Sequence, residues 1–120
     1  MPIITNRKQN EIGLKENMIL TVEPGYYEEN NLGIRLENSV YIVKEKTKYV
    51  SSNSVGFLKF EPLTYVPIQK ILIQKSLLND FEIKWINEYH ERCLSLIGEE
   101  LKKANKLNVL NWLIEQTSPI

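Results

Sequence analysis

Two kinds of apolar spacing divide the chain. Between Ile19 and Val43 apolar and polar side chains largely alternate, which is typical of β-strands, whose successive side chains point to opposite faces. From Asn79 onward the apolar spacing lengthens to about 3.6 residues, the period of an amphipathic helix. We therefore predict an α+β fold in which antiparallel strands are followed by two helices.

The first alternating stretch predicts a strand, a loop and a returning strand. Residues 19–23 are rich in β-forming side chains and end at Pro24-Gly25, a strong turn signal. We predict a polar loop over residues 25–33 and a second strand over residues 34–43. If the two strands pair about Asn30, then Glu23 and Glu37 fall roughly opposite each other, with Arg35 on the same face.

Two glutamates in that position need an explanation, because like charges directly across a strand pair are destabilising. One interpretation is a metal site, since carboxylate oxygens suit hard divalent ions such as Mn²⁺. The other is that one glutamate is solvated while its partner pairs with Arg35 or a lysine. The spacing alone leaves both open.

More strand follows before the helices. Residues 40–48 continue the second strand, residues 51–54 form a polar loop, and residues 55–63 form another strand in which Gly56 permits a bulge. Residues 71–73 are predicted to form a short strand or a connector.

The first helix has a recognisable start. Asn79 and Glu82 have the spacing of a capping box, and the helix is expected to run to about Ala104. Its predicted apolar stripe comprises Trp85, Ile86, Tyr89, Cys93, Ile97 and Leu101. Residues 105–108 break the pattern, and a second helix is predicted over residues 109–116. That helix is expected to bury Leu110 and Leu113, with Trp112 as a further candidate.

Three residues of chemically versatile types are interpreted as structural. Glu61 precedes Pro62 at a strand end and is not taken as a metal ligand. His90 has no carboxylate or second histidine at the spacing of a helical metal site. Cys93 lies on the apolar stripe, where a thiol behaves as a small hydrophobic group.

Composition narrows the function classes. The 120 residues suffice for one small domain. Lysine plus arginine equal aspartate plus glutamate at 15 each, so no net field favours nucleic acid or an anionic membrane as a partner. No apolar run approaches the roughly 20 residues of a membrane span. The single cysteine rules out an internal disulfide and fits a reducing compartment, so we expect a cytoplasmic protein.

The sequence also resembles a known family. Thr-Val-Glu-Pro-Gly-Tyr-Tyr at 21–27 and Gly-Ile-Arg-Leu-Glu-Asn at 33–38 resemble two active-site segments of the Xaa-Pro aminopeptidases (aminopeptidase P). These are metallopeptidases of the pita-bread fold. The resemblance extends to residues 60–64, 66–68, 85–90, 112–114 and 119–120. It covers nearly the whole chain from about Leu14, and it is to the C-terminal region of the longer, eukaryotic cytosolic-type enzymes.

The resemblance implies the C-terminal portion of a pita-bread (creatinase/aminopeptidase) fold. Residues 1–75 would be the sheet portion of the catalytic domain and residues 76–120 a C-terminal helical extension. The chain is expected to be a truncation. In the family a His-Glu-Gly-Pro motif lies shortly before the position that matches Met1, and Met1-Pro2-Ile3-Ile4 looks like the tail of a strand.

The resemblance also implies site residues. Glu23 and Glu37 match metal ligands. Glu23 is expected to act as general base as well, and Glu37 to bridge two divalent ions, with Mn²⁺ the expected metal. Independently of the resemblance, Arg35 lies two residues from Glu37 on the same strand face, so it either holds a ligand carboxylate or a neighbouring partner in position or balances charge at the edge of the site. Tyr26 and Tyr27 are candidates for substrate binding: either one packs in the core while the other lines the cleft, or both merely cover the hairpin. The family's remaining ligands, two aspartates and a histidine, match no residue of this chain.

The implied activity is removal of the N-terminal residue from peptides with proline in second position. The chain alone is expected to be inactive, because two carboxylates are too few to hold two ions. Two alternatives remain: a catalytically dead pita-bread relative acting as a protein-interaction module, and a standalone α+β interaction domain with both glutamates solvated. The expected partner is a peptide substrate, with neither nucleic acid nor membrane, and a homodimer is left open.

Overall fold

The computed structural model describes residues 13–49 and 56–120. The strand tail expected over residues 1–4 and the loop expected over residues 51–54 lie outside the described residues. The contacts divide the chain after Thr64 into two compact units, of which the second is Tyr65–Ile120. The predicted boundary between a sheet portion at residues 1–75 and a helical extension at residues 76–120 stays a prediction.

The first unit contains two small antiparallel sheets. Its strands are β1 (Ile19–Val22), β2 (Gly25–Tyr27), β3 (Gly33–Arg35), β4 (Asn38–Glu45) and β5 (Phe57–Pro62). The larger sheet has the order β1-β4-β5, and β2 pairs with β3 in the smaller one. The central strand β4 supplies the buried side chains Val40 and Ile42, which share one face because they are two residues apart.

The predicted loop over residues 25–33 is wrong at both of its ends. Residues there form β2 and β3, and only the tip is a turn, closed by a hydrogen bond from Glu28 N–H to Leu32 O at 2.8 Å. Asn30 takes a positive φ of 56°, a backbone conformation that asparagine tolerates better than most residues. The hairpin therefore extends well beyond the turn signal at Pro24-Gly25.

Pro24 explains why the hairpin is divided into two sheets. One arm of this hairpin is β1 followed by β2, and the other arm is β3 followed by β4. Pro24, between β1 and β2, lacks an N–H and cannot donate a ladder hydrogen bond to the opposite arm. Its carbonyl still accepts the N–H of Leu36 at 3.1 Å, so the arms stay together across the gap. The second predicted strand is likewise interrupted, because residues 36 and 37 separate β3 from β4.

One register runs through both strand pairs. Thr21 lies opposite Ser39 in the β1–β4 pair, and Gly25 lies opposite Arg35 in the β2–β3 pair. Both pairs are therefore centred on Asn30, and the predicted alignment about that residue is confirmed. Because paired residues are equally distant from Asn30, odd-numbered residues of both arms lie on one face of the hairpin and even-numbered residues lie on the other.

The second unit is helical. Short 3₁₀ helices span Lys70–Leu72 and Lys75–Leu77, so of the two alternatives predicted at residues 71–73 the strand is wrong. Helix α1 spans Asp80–Lys103 and α2 spans Leu107–Thr117, so α2 is slightly longer than predicted.

The predicted capping box at the start of α1 is present. The Glu82 N–H donates to Asn79 Oδ1 at 3.0 Å, and the Asn79 N–H donates to Glu82 Oε2 at 2.9 Å. The two bonds satisfy donors that helix geometry would otherwise leave without partners.

The helical core differs from the predicted stripe. Its buried apolar side chains are Ile86, Tyr89, Cys93, Leu110 and Leu113. Trp85 is 44% exposed and Ile97 38% exposed, so both were predicted wrongly. The Trp85 ring stacks on Tyr89 at a centroid distance of 5.8 Å, which leaves much of its surface uncovered. Trp112 is also exposed, whereas His90 is fully buried.

Across the described ranges, no helix combines the length and apolarity that crossing a membrane requires.

Candidate metal centre

The candidate site lies on one face of the hairpin formed by the two arms. Val22 lies opposite Asn38 at the end of β1. The same register continued by one residue brings Glu23 opposite Glu37, as the sequence predicted. Both side chains project to the face that also carries Thr21 and Arg35, because all four positions are odd-numbered and alternate residues of a strand share a face.

Arg35 connects the two glutamates. Its Nη1 lies 3.4 Å from Glu23 Oε2, and its Nη2 lies 3.1 Å from Glu37 Oε2. Glu37, then Tyr27 and Glu23, raise the pKa of the guanidinium above its ordinary value. The cation therefore offsets the repulsion that two opposed carboxylates would otherwise cause.

A second donor holds Glu23. Thr21 Oγ1 donates a hydrogen bond of 2.8 Å to Glu23 Oε1. Sequence reasoning missed this residue, although the signal was present: side chains two apart on a strand lie on one face and can touch. Glu23 consequently has a partner at both carboxylate oxygens: a hydrogen bond from Thr21 at Oε1 and an ion pair with Arg35 at Oε2.

The tyrosines of β2 lie along the hairpin. The ring of Tyr27 covers Gly25 and Gly33, where an added Cβ would come within 2.6 Å and 2.9 Å of its atoms. Tyr27 is also one of the groups that raise the pKa of Arg35. Tyr26 donates from its hydroxyl to Glu28 Oε1 at 2.5 Å, and this bond raises the pKa of Tyr26 and lowers that of Glu28.

Neither tyrosine packs in a core, since Tyr26 is 60% and Tyr27 65% exposed. The choice between the two arrangements expected from the sequence stays a prediction.

The donor set fits part of a site for hard divalent cations. Arg35 contacts Oε2 of each glutamate, so Glu37 Oε1 and the remaining lone pairs of Glu23 can still bind a cation. Carboxylate oxygens are the ligands that Mn²⁺ and Mg²⁺ favour. Within residues 13–49 and 56–120, no group of three or more His, Cys, Asp or Glu residues could hold a metal ion. Further ligands would have to come from other residues.

Glu61, His90 and Cys93, which the sequence analysis interpreted as structural, lie in environments that fit that interpretation. Lys59 Nζ pairs with Glu61 Oε1 at 3.0 Å. His90 Nε2 accepts the backbone N–H of Ile68 at 3.0 Å. Cys93 is a buried free thiol, and burial raises its pKa, which disfavours the nucleophilic thiolate.

The chain is similar to known proteins over most of its length. Residues 1–44 match the metallopeptidase family M24, and residues 56–120 match the C-terminal region of peptidase M24. Xaa-Pro aminopeptidase app-1 of Caenorhabditis elegans is 44% identical over 89% of this chain and 17% of that protein. Aminopeptidase P1 of Lotus japonicus is 38% identical over 99% of this chain and 18% of that protein.

A solved structure is also similar. The X-prolyl aminopeptidase of Caenorhabditis elegans, described as a cytosolic enzyme with a di-nuclear active site, superimposes with a TM-score of 0.77 and 42% identity. The match covers 89% of this chain and 17% of that one, so the chain spans about a sixth of the relatives' length.

The strands and two helices are thus the C-terminal portion of the pita-bread fold. Because the family's C-terminal region matches more than half of the residues, the chain belongs to the metallopeptidase family M24.

Proposed function

We propose that residues 1–120 form the C-terminal part of a larger catalytic domain that removes the N-terminal residue from peptides with proline in second position. One observation carries the proposal: Glu23 and Glu37 face each other across the hairpin and share Arg35. The relatives suggest the substrate class, since the two proteins from Caenorhabditis elegans and Lotus japonicus are named as aminopeptidases of the Xaa-Pro or P type.

The proposed cofactor is a pair of divalent ions, with Mn²⁺ as the metal. Glu23 and Glu37 would hold them together with ligands outside this chain. When bound, such ions lower the pKa of a water molecule and polarise the carbonyl of the scissile peptide bond. The proposal draws support from the di-nuclear active site of the similar solved structure.

The residues of this chain would have different roles. Glu23 would accept a proton from the attacking water at a carboxylate oxygen, and so act as general base. Glu37 would act as a ligand only. Arg35 would keep both carboxylates oriented and charged, because a guanidinium donates to two carboxylates at once without losing its own proton. Tyr26 and Tyr27 stay candidates for substrate contact.

The isolated chain is proposed to be inactive. Its two glutamates are too few to retain two ions, and the described residues hold no larger cluster of ligands. The active protein would be the longer one, located in the cytoplasm. A homodimer stays an expectation, which light scattering of the complete protein would test.

The experiment measures how fast the complete protein cleaves two peptides. Each peptide is tested after metal removal and again after addition of Mn²⁺. We expect cleavage of Xaa-Pro-Xaa peptides but not of matched Xaa-Ala-Xaa peptides, and loss of cleavage on chelation. Failure to cleave either peptide at any metal concentration would favour the alternative, a pita-bread relative without activity that acts as an interaction module. Cleavage by residues 1–120 alone would contradict the proposed inactivity.

A further inference from the structure

We propose that Thr21 is a positioning residue for Glu23, and that its hydroxyl contributes to the affinity of the site for divalent ions. The inference rests on the proposed function, because it assumes that Glu23 is a metal ligand. Its starting point is the 2.8 Å hydrogen bond from Thr21 Oγ1 to Glu23 Oε1.

The two glutamates are not restrained equally. Glu23 receives Thr21 at Oε1 and Arg35 at Oε2. Within the described part of the chain Glu37 is contacted through Oε2 by Arg35 alone. A carboxylate bonded at both oxygens has little freedom to rotate about its terminal torsion, which is otherwise broad. The protein partners therefore favour one orientation of the Glu23 carboxylate before any ion binds.

Threonine suits this role at position 21. It lies on β1 opposite Ser39 of β4, so its backbone is set by the larger sheet. A β-branched side chain has restricted χ1, which directs the hydroxyl along the strand face towards Glu23. The hydroxyl donates its hydrogen bond to Glu23 Oε1. This bond occupies one lone pair of Oε1 and leaves the other for a cation.

The consequence concerns metal affinity. Partners that orient a metal ligand typically contribute about 10- to 100-fold to metal affinity or activity. Removing the Thr21 hydroxyl would let the carboxylate rotate about its terminal torsion, so that ion binding would have to order it. We expect the loss to appear in the dissociation constant of the ions even where the fold is unchanged.

The test uses the complete metal-free protein and three variants. Thr21→Val keeps the shape and β-branching but removes the donor. Thr21→Ser restores the donor on a smaller side chain. Ser39→Ala is the matched control, because Ser39 lies directly across from Thr21 and its hydroxyl makes no hydrogen bond to Glu23 among the described residues. Isothermal titration with Mn²⁺ gives the dissociation constant, and thermal unfolding of the metal-free protein reports the fold.

We expect Thr21→Val to weaken Mn²⁺ binding by about 10-fold or more, with an unchanged metal-free unfolding midpoint, and Thr21→Ser to bind nearly as wild type. The inference is overturned if Thr21→Val binds Mn²⁺ as tightly as wild type, if Thr21→Ser loses as much affinity as Thr21→Val, or if Ser39→Ala loses as much as Thr21→Val. A wild-type protein that binds no Mn²⁺ would overturn the proposed function itself, and the inference with it, and that failure is visible before any variant is made.

Discussion

The imidazole of His90 accepts a hydrogen bond from the backbone N–H of Ile68, with a distance of 3.0 Å from Ile68 N to His90 Nε2. An imidazole nitrogen accepts only when it carries no proton. The ring is fully buried, and burial, followed by the charge of Lys70, lowers the pKa of His90 below its ordinary 6.5. His90 is therefore a neutral structural residue that ties an extended segment to α1.

This relationship predicts acid sensitivity. Because the folded-state pKa is lowered, the unfolded chain binds a proton first as the pH falls through about 6.5. The stability due to neutral His90 is present above that pH and is lost below it. We expect the Ile68 amide of the complete protein to lose hydrogen-exchange protection between about pH 7 and pH 5, after correction for intrinsic rates. In His90→Gln this titration should vanish. An equal loss in both proteins would contradict the assignment.

Removal of the capping box should destabilise α1. The double variant Asn79→Ala/Glu82→Ala loses both reciprocal bonds, and we expect a loss of roughly 1–2 kcal/mol. Glu91→Ala is the control, since Glu91 is exposed in the middle of the same helix. Chemical unfolding followed by circular dichroism measures the difference. A double variant as stable as Glu91→Ala would show that the cap contributes nothing.

The ring of Tyr27 should exclude a side chain at position 33. The Cβ introduced by Gly33→Ala would come within 2.9 Å of Tyr27 Cδ1, so the ring or the strand must move, at a cost of about 1–3 kcal/mol. If the ring is the cause, Tyr27→Ala/Gly33→Ala should show no additional loss relative to Tyr27→Ala. The double-mutant cycle, measured by urea unfolding, gives the coupling. Additive losses would indicate that Gly33 matters for another reason.

The two glutamates should respond differently to metal. In the complete protein, Glu23→Gln keeps the shape but removes the proposed general base, and we expect a loss of the proposed peptidase rate on the order of 10²–10⁴ that added Mn²⁺ does not restore. Glu37→Gln should act mainly through lost metal, so excess Mn²⁺ should partly restore the rate.

The measurement for this pair is activity against Mn²⁺ concentration. Glu29→Gln is the control, because Glu29 is exposed at the hairpin tip. If Glu23→Gln regains the wild-type rate at high Mn²⁺, Glu23 is a ligand without a role as base.

The features that the sequence predicted well depend on local spacing. The alignment of Glu23 with Glu37 follows from alternation on both sides of one turn, and the start of α1 follows from Asn79 and Glu82 alone. The extent of the hairpin did not follow, because the polar residues at its tip favoured a loop while β2 and β3 form through pairing with each other.

Other features depend on contacts between distant residues. The burial of His90 requires Ile68, which is 22 residues away, and a helical period does not show which polar side chain will find a backbone partner. Trp85 has the spacing of a core residue, but its ring stacks on Tyr89 and leaves much of its surface exposed. The contacts of Arg35 with the glutamates followed from its position on their strand face, and the same two-residue spacing would have found Thr21 beside Glu23.

The shared register centred on Asn30 also makes the hairpin sensitive to the number of its residues, in addition to their kind. Deleting one residue from a single arm would slip the pairing by one position and turn every side chain beyond it to the opposite face. Glu23 and Glu37 would then lie on different sides of the ribbon, although neither had been mutated. Deleting one residue from each arm would shorten the hairpin and leave the two carboxylates facing each other. This architecture therefore accommodates changes in length that are matched in the two arms.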